Sequence, residues 1–231
     1  MTMDEQLERL YQANWDSLCK AIPTGSAMSN PLLAAVPHEY ETSKKRLLII
    51  GQETHGWGLW DDRLPADTGR AVAFLRGAYC LFQRGRHHNS AFFRAAAGLQ
   101  SALNPASDPF GFLWLNLFVC DQGLTTPREP AAESLRQASL LRREIEILRP
   151  HAVIFFTGPN YDYTLKHEKY FPKAEIKPHS EWWAEVIAPD TLPRKTARTY
   201  HPNYPKFKPH VDDALAEIVE WIKQSDAINE A

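Results

Sequence analysis

Residues 44–53, KKRLLIIGQE, decide the fold. The basic trio Lys44–Lys45–Arg46 leads into four consecutive apolar residues, Leu47–Ile50, and Gly51 stops them. A short, continuous apolar run closed by glycine reads as a strand buried on both faces, the signature of a parallel sheet. The run has companions. Phe112–Val119 is apolar except for Asn116, and Ala152–Thr157 is apolar up to Gly158–Pro159. Helical stretches fall between the runs, at about 69–83, 90–103 and 131–148, the second with Ser90 as N-cap and Asn104–Pro105 as stop. Strand alternating with helix predicts a parallel sheet carrying helices on both faces. Thr196–Tyr200 is a further short candidate strand, running into His201–Pro202, while Trp182, Trp183, Val186 and Ile187 fit either a strand or a loop packed on the core. Leu7, Leu10, Tyr11, Trp15 and Leu18 predict an amphipathic helix over about 4–20, and Val211, Leu215, Ile218, Val219 and Ile222 another over about 209–224.

The 231 residues contain no linker-like stretch, so a single domain over 1–231 is expected, with its core in about 44–210 and the two terminal helices packed on it. Hydrophobic residues at 44% exclude a disordered chain. No apolar run approaches the roughly 20 residues a membrane span requires, and the start, MTMDEQLERL, is acidic where a secretory leader is basic. A soluble protein in the cytoplasm, with no membrane partner, is therefore expected. Cys19, Cys80 and Cys120 stand too far apart for a zinc or iron–sulfur motif, so neither metal nor cofactor is expected. The net charge of −2 conceals a division along the chain. Residues 1–41 carry two basic and six acidic side chains and residues 211–231 one and six, which leaves an excess of seven positive charges in 42–210. Within that stretch Arg194, Lys195, Arg198, Lys206 and Lys208 have no acid among them, a pattern that fits either a solvated loop or a phosphate-contacting edge.

Ligands of open parallel sheets bind at the carboxyl ends of the strands. The predicted strands deliver four polar segments there: Gly51-Gln52-Glu53-Thr54-His55-Gly56-Trp57; Asn116 with Asp121-Gln122; Thr157-Gly158-Pro159-Asn160; and Tyr200-His201-Pro202-Asn203-Tyr204. Asn116 is the most telling of these, because an amide inside FLWLNLFV needs hydrogen bonds to be tolerated in a core. One carboxylate, one amide and one imidazole can thus meet at one sheet edge.

These segments, in this order, resemble the uracil-DNA glycosylase superfamily. Gly51-Gln52-Glu53 after LLII is similar to its GQD motif, GFLWLNLFV to its Asn-bearing strand, AVIFFTGPN to its third strand, and TYHPNYP to its HPS loop. The resemblance spans roughly residues 44–210. It implies a three-layer α/β/α sandwich around a four-stranded parallel sheet, and a monomeric hydrolase of N-glycosyl bonds that flips a damaged or modified base, uracil or a relative, out of single- or double-stranded DNA in base-excision repair. Glycosidic cleavage passes through a sugar cation. Glu53 would orient water and stabilise that cation, and His201 would donate a hydrogen bond to the departing base. Asn116, with Gln52, Trp57 and His55, would hold the flipped base. Trp57, Trp60 or Phe74 would sandwich it, Tyr204 or Phe207 would wedge into the emptied stack, and Asn203, Tyr204, Lys206, Arg198, Gly158 and Asn160 would contact DNA.

The sequence departs from the family at three positions. Glu53 stands where uracil-specific relatives carry aspartate, His55 where they carry a thymine-excluding tyrosine, and Asn203 where they carry the serine of HPS. The departures leave open a catalytically lost member of the same fold that binds nucleic acid or a protein. An unrelated metal-dependent hydrolase using His87, His88, His210, Asp212 or Asp213 is a third reading, weakened because adjacent histidines point apart.

Overall fold

A computed structural model describes residues 1–23, 25–60, 64–85 and 89–224. The apolar runs of the sequence become β1 (Leu47–Gly51), β2 (Leu113–Asn116) and β3 (Ala152–Phe156), every residue of them buried. They are joined by β4 (Glu175–Pro178), β5 (Trp183–Ile187) and β6 (Lys195–Thr199) in one sheet of order β2-β1-β3-β6-β5-β4. β2, β1, β3 and β6 run parallel, with Gly51 opposite Asn116, Ile50 opposite Phe155 and Phe156 opposite Thr199.

The sheet has six strands rather than the expected four, because β5 and β4 extend it antiparallel beyond β6. The four parallel strands are those expected from sequence; the difference lies in the hairpin. β5 resolves the ambiguity at Trp182–Ile187 as a strand. β4, EIKP, is mostly exposed and ends in proline. Charged side chains and proline are what keep an edge strand from pairing further, and they also remove the apolar pattern by which a strand is read.

Helices lie on both faces, an arrangement compatible with a three-layer sandwich. On one face Leu115 meets α1 (Met3–Ala21) and α6 (Leu141–Leu148) around Tyr11 and Glu144. On the other, Trp114 packs against Phe92 and Phe93 of α4 (Ala91–Leu103), and α4 lies along α8 (Val211–Gln224). Short α2 (His38–Thr42) precedes β1, and α3 (Thr68–Arg84) docks on α1. Arg76 of α3 secures that contact by pairing with Asp4 and, at 2.8 Å, with Glu8.

Thr2 and Glu5 close a capping box on α1, and Ser90 caps α4 by accepting from Phe93 N at 3.2 Å, the role expected of it. The single helix expected at 131–148 is two, α5 (Ala131–Gln137) and α6, broken where Ser139 accepts from Leu141 N. A short α7 (Asp162–Leu165), not anticipated, follows the β3 loop. Among the described residues no helix is long and apolar enough to cross a membrane.

Candidate functional site

The four parallel strands present their carboxyl ends side by side, and each is followed by one of the polar segments: β2 by Asn116–Thr126, β1 by Gln52–Trp57, β3 by Thr157–Tyr161, β6 by Tyr200–Lys208. The register sets Asn116 against Gly51. That pairing requires glycine, because a Cβ at residue 51 would collide with Asn116 Oδ1 and stand 3.3 Å from the Phe92 ring. Asn116 is only 7% exposed. Its Nδ2 is closed off from solvent and receives no protein partner among the described residues. Leaving a buried donor unmet costs about 1–3 kcal/mol, so a fold retains such a group where a ligand is to meet it or where strain is stored.

Phe92, the second residue of α4, forms the wall beside this amide. Its ring packs edge-on against Phe156 and Trp114 and lies nearly parallel to the His201 imidazole, with centroids 5.9 Å apart and planes at 29°. His201 Nδ1 accepts from Asn203 N at 3.1 Å. A neutral imidazole that accepts at Nδ1 carries its proton on Nε2. Burial draws the His201 pKa below the ordinary histidine value, which favours that neutral form. The loop therefore holds a neutral donor beside Phe92.

Glu53 projects from the loop after β1. Its Oε2 accepts from Thr126 Oγ1 and from Tyr161 OH, each at 3.0 Å, and the two hydroxyl oxygens stand in close contact. Burial pushes the Glu53 carboxyl above the usual range; the bonds from Thr126 and Tyr161 draw it down, Asp121 adds to the rise, and His55 opposes it. Asp121 fixes the surrounding loops. Its Oδ2 accepts from Thr54 Oγ1 at 2.7 Å and Gly56 N at 3.0 Å, and its Oδ1 accepts from Leu124 N at 2.9 Å. Tyr161 is held in turn by its neighbour Asp162, which pairs with Arg198 of β6 at 3.2 Å.

Glu53, Asn116 and His201 thus share one sheet edge, but the remaining sequence-nominated residues divide. Gln52 Nε2 is used by Thr157 O at 2.9 Å, joining the ends of β1 and β3. His55 is exposed at the rim, with Nδ1 3.0 Å from Leu124 O. Trp57 packs edge-on to Phe82 and Trp114, and Trp60 against Trp15, while Phe74 is 57% exposed on α3. None of these three is the ring beside Asn116; Phe92 is. Phe207 is fully buried against Tyr200 and Trp182 and is no wedge, whereas Tyr204 is 39% exposed and stacked on Tyr200. Arg198, read as a DNA contact, is buried and committed to Asp162 instead. Asn160, Asn203 and Lys206 are exposed at this edge, and Gly158 lies buried beneath Tyr200 at φ +72°. His87 and His88 lie outside the described residues. His210 is exposed and stacked on Trp182, and among the described residues no three His, Cys, Asp or Glu side chains converge as metal ligands.

No family model and no curated protein matches the chain.

Sequence reasoning missed Phe92, Thr126 and Tyr161. Phe92 sits in a helix whose apolar face looks like ordinary packing, and Thr126 and Tyr161 lie in loops without periodicity. Their only sequence mark is position, downstream of β2 and β3 as Glu53 is downstream of β1.

Proposed function

We propose that the chain is a DNA base glycosylase of the uracil-DNA glycosylase type, which accepts a flipped base at the carboxyl edge of its parallel strands and hydrolyses the N-glycosidic bond. The observation that carries the reading is the Asn116 amide, buried, with its Nδ2 unpartnered among the described residues, and accommodated by Gly51. An amide offers one donor and one acceptor, the complement of a pyrimidine's Watson–Crick edge. Phe92 supplies a face for the base to stack on. The Nε2 proton of His201 is available to the base oxygen that gains charge as the bond breaks. Glu53 faces the sugar, where its carboxylate favours the cation and orients the attacking water. Water adds to the anomeric carbon and gives a proton to the Glu53 carboxylate, the carbon–nitrogen bond breaks, and its electron pair leaves with the base, which is then protonated from solvent.

The test is incubation with oligonucleotides carrying uracil, hypoxanthine, xanthine or modified cytosines, followed by alkaline cleavage of abasic sites. Strand scission at one of these lesions, reduced on the order of ten- to ten-thousand-fold in His201→Asn and Glu53→Gln, is the expected result. Intact strands across the panel would remove the glycosylase reading.

A further inference from the structure

The Glu53 carboxylate is bonded unequally. Oε2 receives both Thr126 Oγ1 and Tyr161 OH, while Oε1 receives no bond from the described residues. The two hydroxyls come from different loops, one after β2 and one after β3, and their oxygens stand in close contact. Three loops thereby converge on a single oxygen atom. A glutamate side chain has three rotatable bonds, and fixing one carboxylate oxygen from two directions removes most of that freedom while leaving the second oxygen in a defined direction.

We propose that Thr126 and Tyr161 are positioning residues for Glu53, which clamp Oε2 so that Oε1 is the oxygen presented to the attacking water. This rests on the glycosylase reading. Donated hydrogen bonds stabilise the ionised carboxylate, so the same two hydroxyls keep Glu53 ionisable in a place where burial and Asp121 oppose ionisation. The titratable and charged groups facing Glu53 are His55 on its own loop, Asp121 on the loop after β2 and Tyr161 on the loop after β3. Thr126 contributes a hydroxyl without a charge.

Tyr161→Phe and Thr126→Val each remove one donor with little change of shape, and Thr126→Ser restores the hydroxyl. Two measurements are needed: the titration midpoint of the Glu53 carboxyl in the free protein, by carbon-13 NMR, and the acid limb of the pH–rate profile on the oligonucleotide that the wild type cleaves. In Tyr161→Phe and Thr126→Val both should move to higher pH together, with the kcat plateau above the displaced limb below wild type, because Glu53 is no longer oriented, and KM nearly unchanged. Thr126→Ser should return both to the wild-type position.

A displaced midpoint with an unmoved acid limb would overturn the proposal, making Glu53 an anchor for the Tyr161 loop. So would a midpoint that moves in neither variant, or a plateau that returns fully to the wild-type rate above the displaced limb. If wild type cleaves no lesion, the glycosylase reading falls and the clamp's catalytic role falls with it, whereas cleavage with an unmoved limb sinks the clamp alone.

Discussion

At the scale of single residues, the candidate site depends on small steric and ionic facts. Gly51 is required by Asn116 rather than by its own backbone. Gly51→Ala should cost about 1–3 kcal/mol, the usual penalty for forcing volume into a packed site, and should abolish base excision. The double variant Gly51→Ala/Asn116→Ala removes the colliding amide, so its measured destabilisation should fall short of the sum of the two singles; strict additivity in denaturant melts would show that the two side chains do not share space. Glu144, far from this edge, makes a second case. It is buried, accepts from Tyr11 OH at 2.6 Å, and burial raises its carboxyl from 4.5 to about 7. The folded state therefore holds this proton to higher pH than the unfolded chain does. Its contribution is complete below about 4.5, declines as pH rises, and is lost above about 7. At 1.36 kcal/mol per unit the change is about 3 kcal/mol, and thermal melts across that window should show it in wild type and not in Glu144→Gln. Glu53 was legible in the sequence because it follows an apolar run that stops abruptly, Asn116 because it interrupts one, and His201 because it follows a short candidate strand just before a proline. Phe92 was not, since an aromatic at helical spacing looks the same whether it packs a core or walls a site.

Among the elements, the legible strands were those buried on both faces. β1, β2 and β3 are continuous apolar runs, and β6 stood out by running into His201–Pro202. β4 was hidden by its charges and its proline, and the division of α5 from α6 by a helical pattern that continues through the break. The β3–α7 connection shows why loop geometry escapes sequence reading. Arg198 sits in a basic stretch and reads as a phosphate contact, yet its strand position turns the guanidinium inward to Asp162, next to Tyr161. Removing the guanidinium leaves the partly buried Asp162 carboxylate without its partner. Arg198→Met should thus cost about 1–3 kcal/mol, discounted because Asp162 keeps some contact with solvent, and should speed amide hydrogen exchange at Tyr161 and Asp162. Oligonucleotide affinity should be unchanged in the folded variant. A stable Arg198→Met with weakened, less salt-dependent DNA binding would reinstate Arg198 as a phosphate contact.

Over the whole molecule, the positive excess of residues 42–210 is partly spent inside the fold. Arg76 is taken by Asp4 and Glu8, Arg136 by Glu129 and Glu133, Arg198 by Asp162, and Lys195 bonds Trp221 O while its ammonium lies over that ring. Lys206 and Lys208 remain exposed on the His201 loop and Arg128 on the loop that carries Thr126, so the cations facing outward around the candidate site come from the loops that also carry its polar groups. Asp212 and Asp213 open α8 immediately beyond Lys208 and oppose this field. The DNA contact should accordingly be short, with a few phosphates rather than the extended track that the charge count alone suggests. Each phosphate neutralised on a duplex adds about 0.9 to the slope of log affinity against log salt, and on a single strand about 0.7. Fluorescence anisotropy of a labelled lesion oligonucleotide over a salt series should then give a slope of about 2–3, falling by about one unit in Lys206→Ala and again in Lys208→Ala, with equal weakening for every sequence tested. Asp212→Asn should strengthen binding at low salt and leave the lysine increments in place. Affinity indifferent to salt would remove DNA as the partner of this edge. A steep slope untouched by either lysine would place the nucleic-acid path elsewhere on the surface, and the Asn116 amide would then need a ligand that does not arrive on a phosphate backbone.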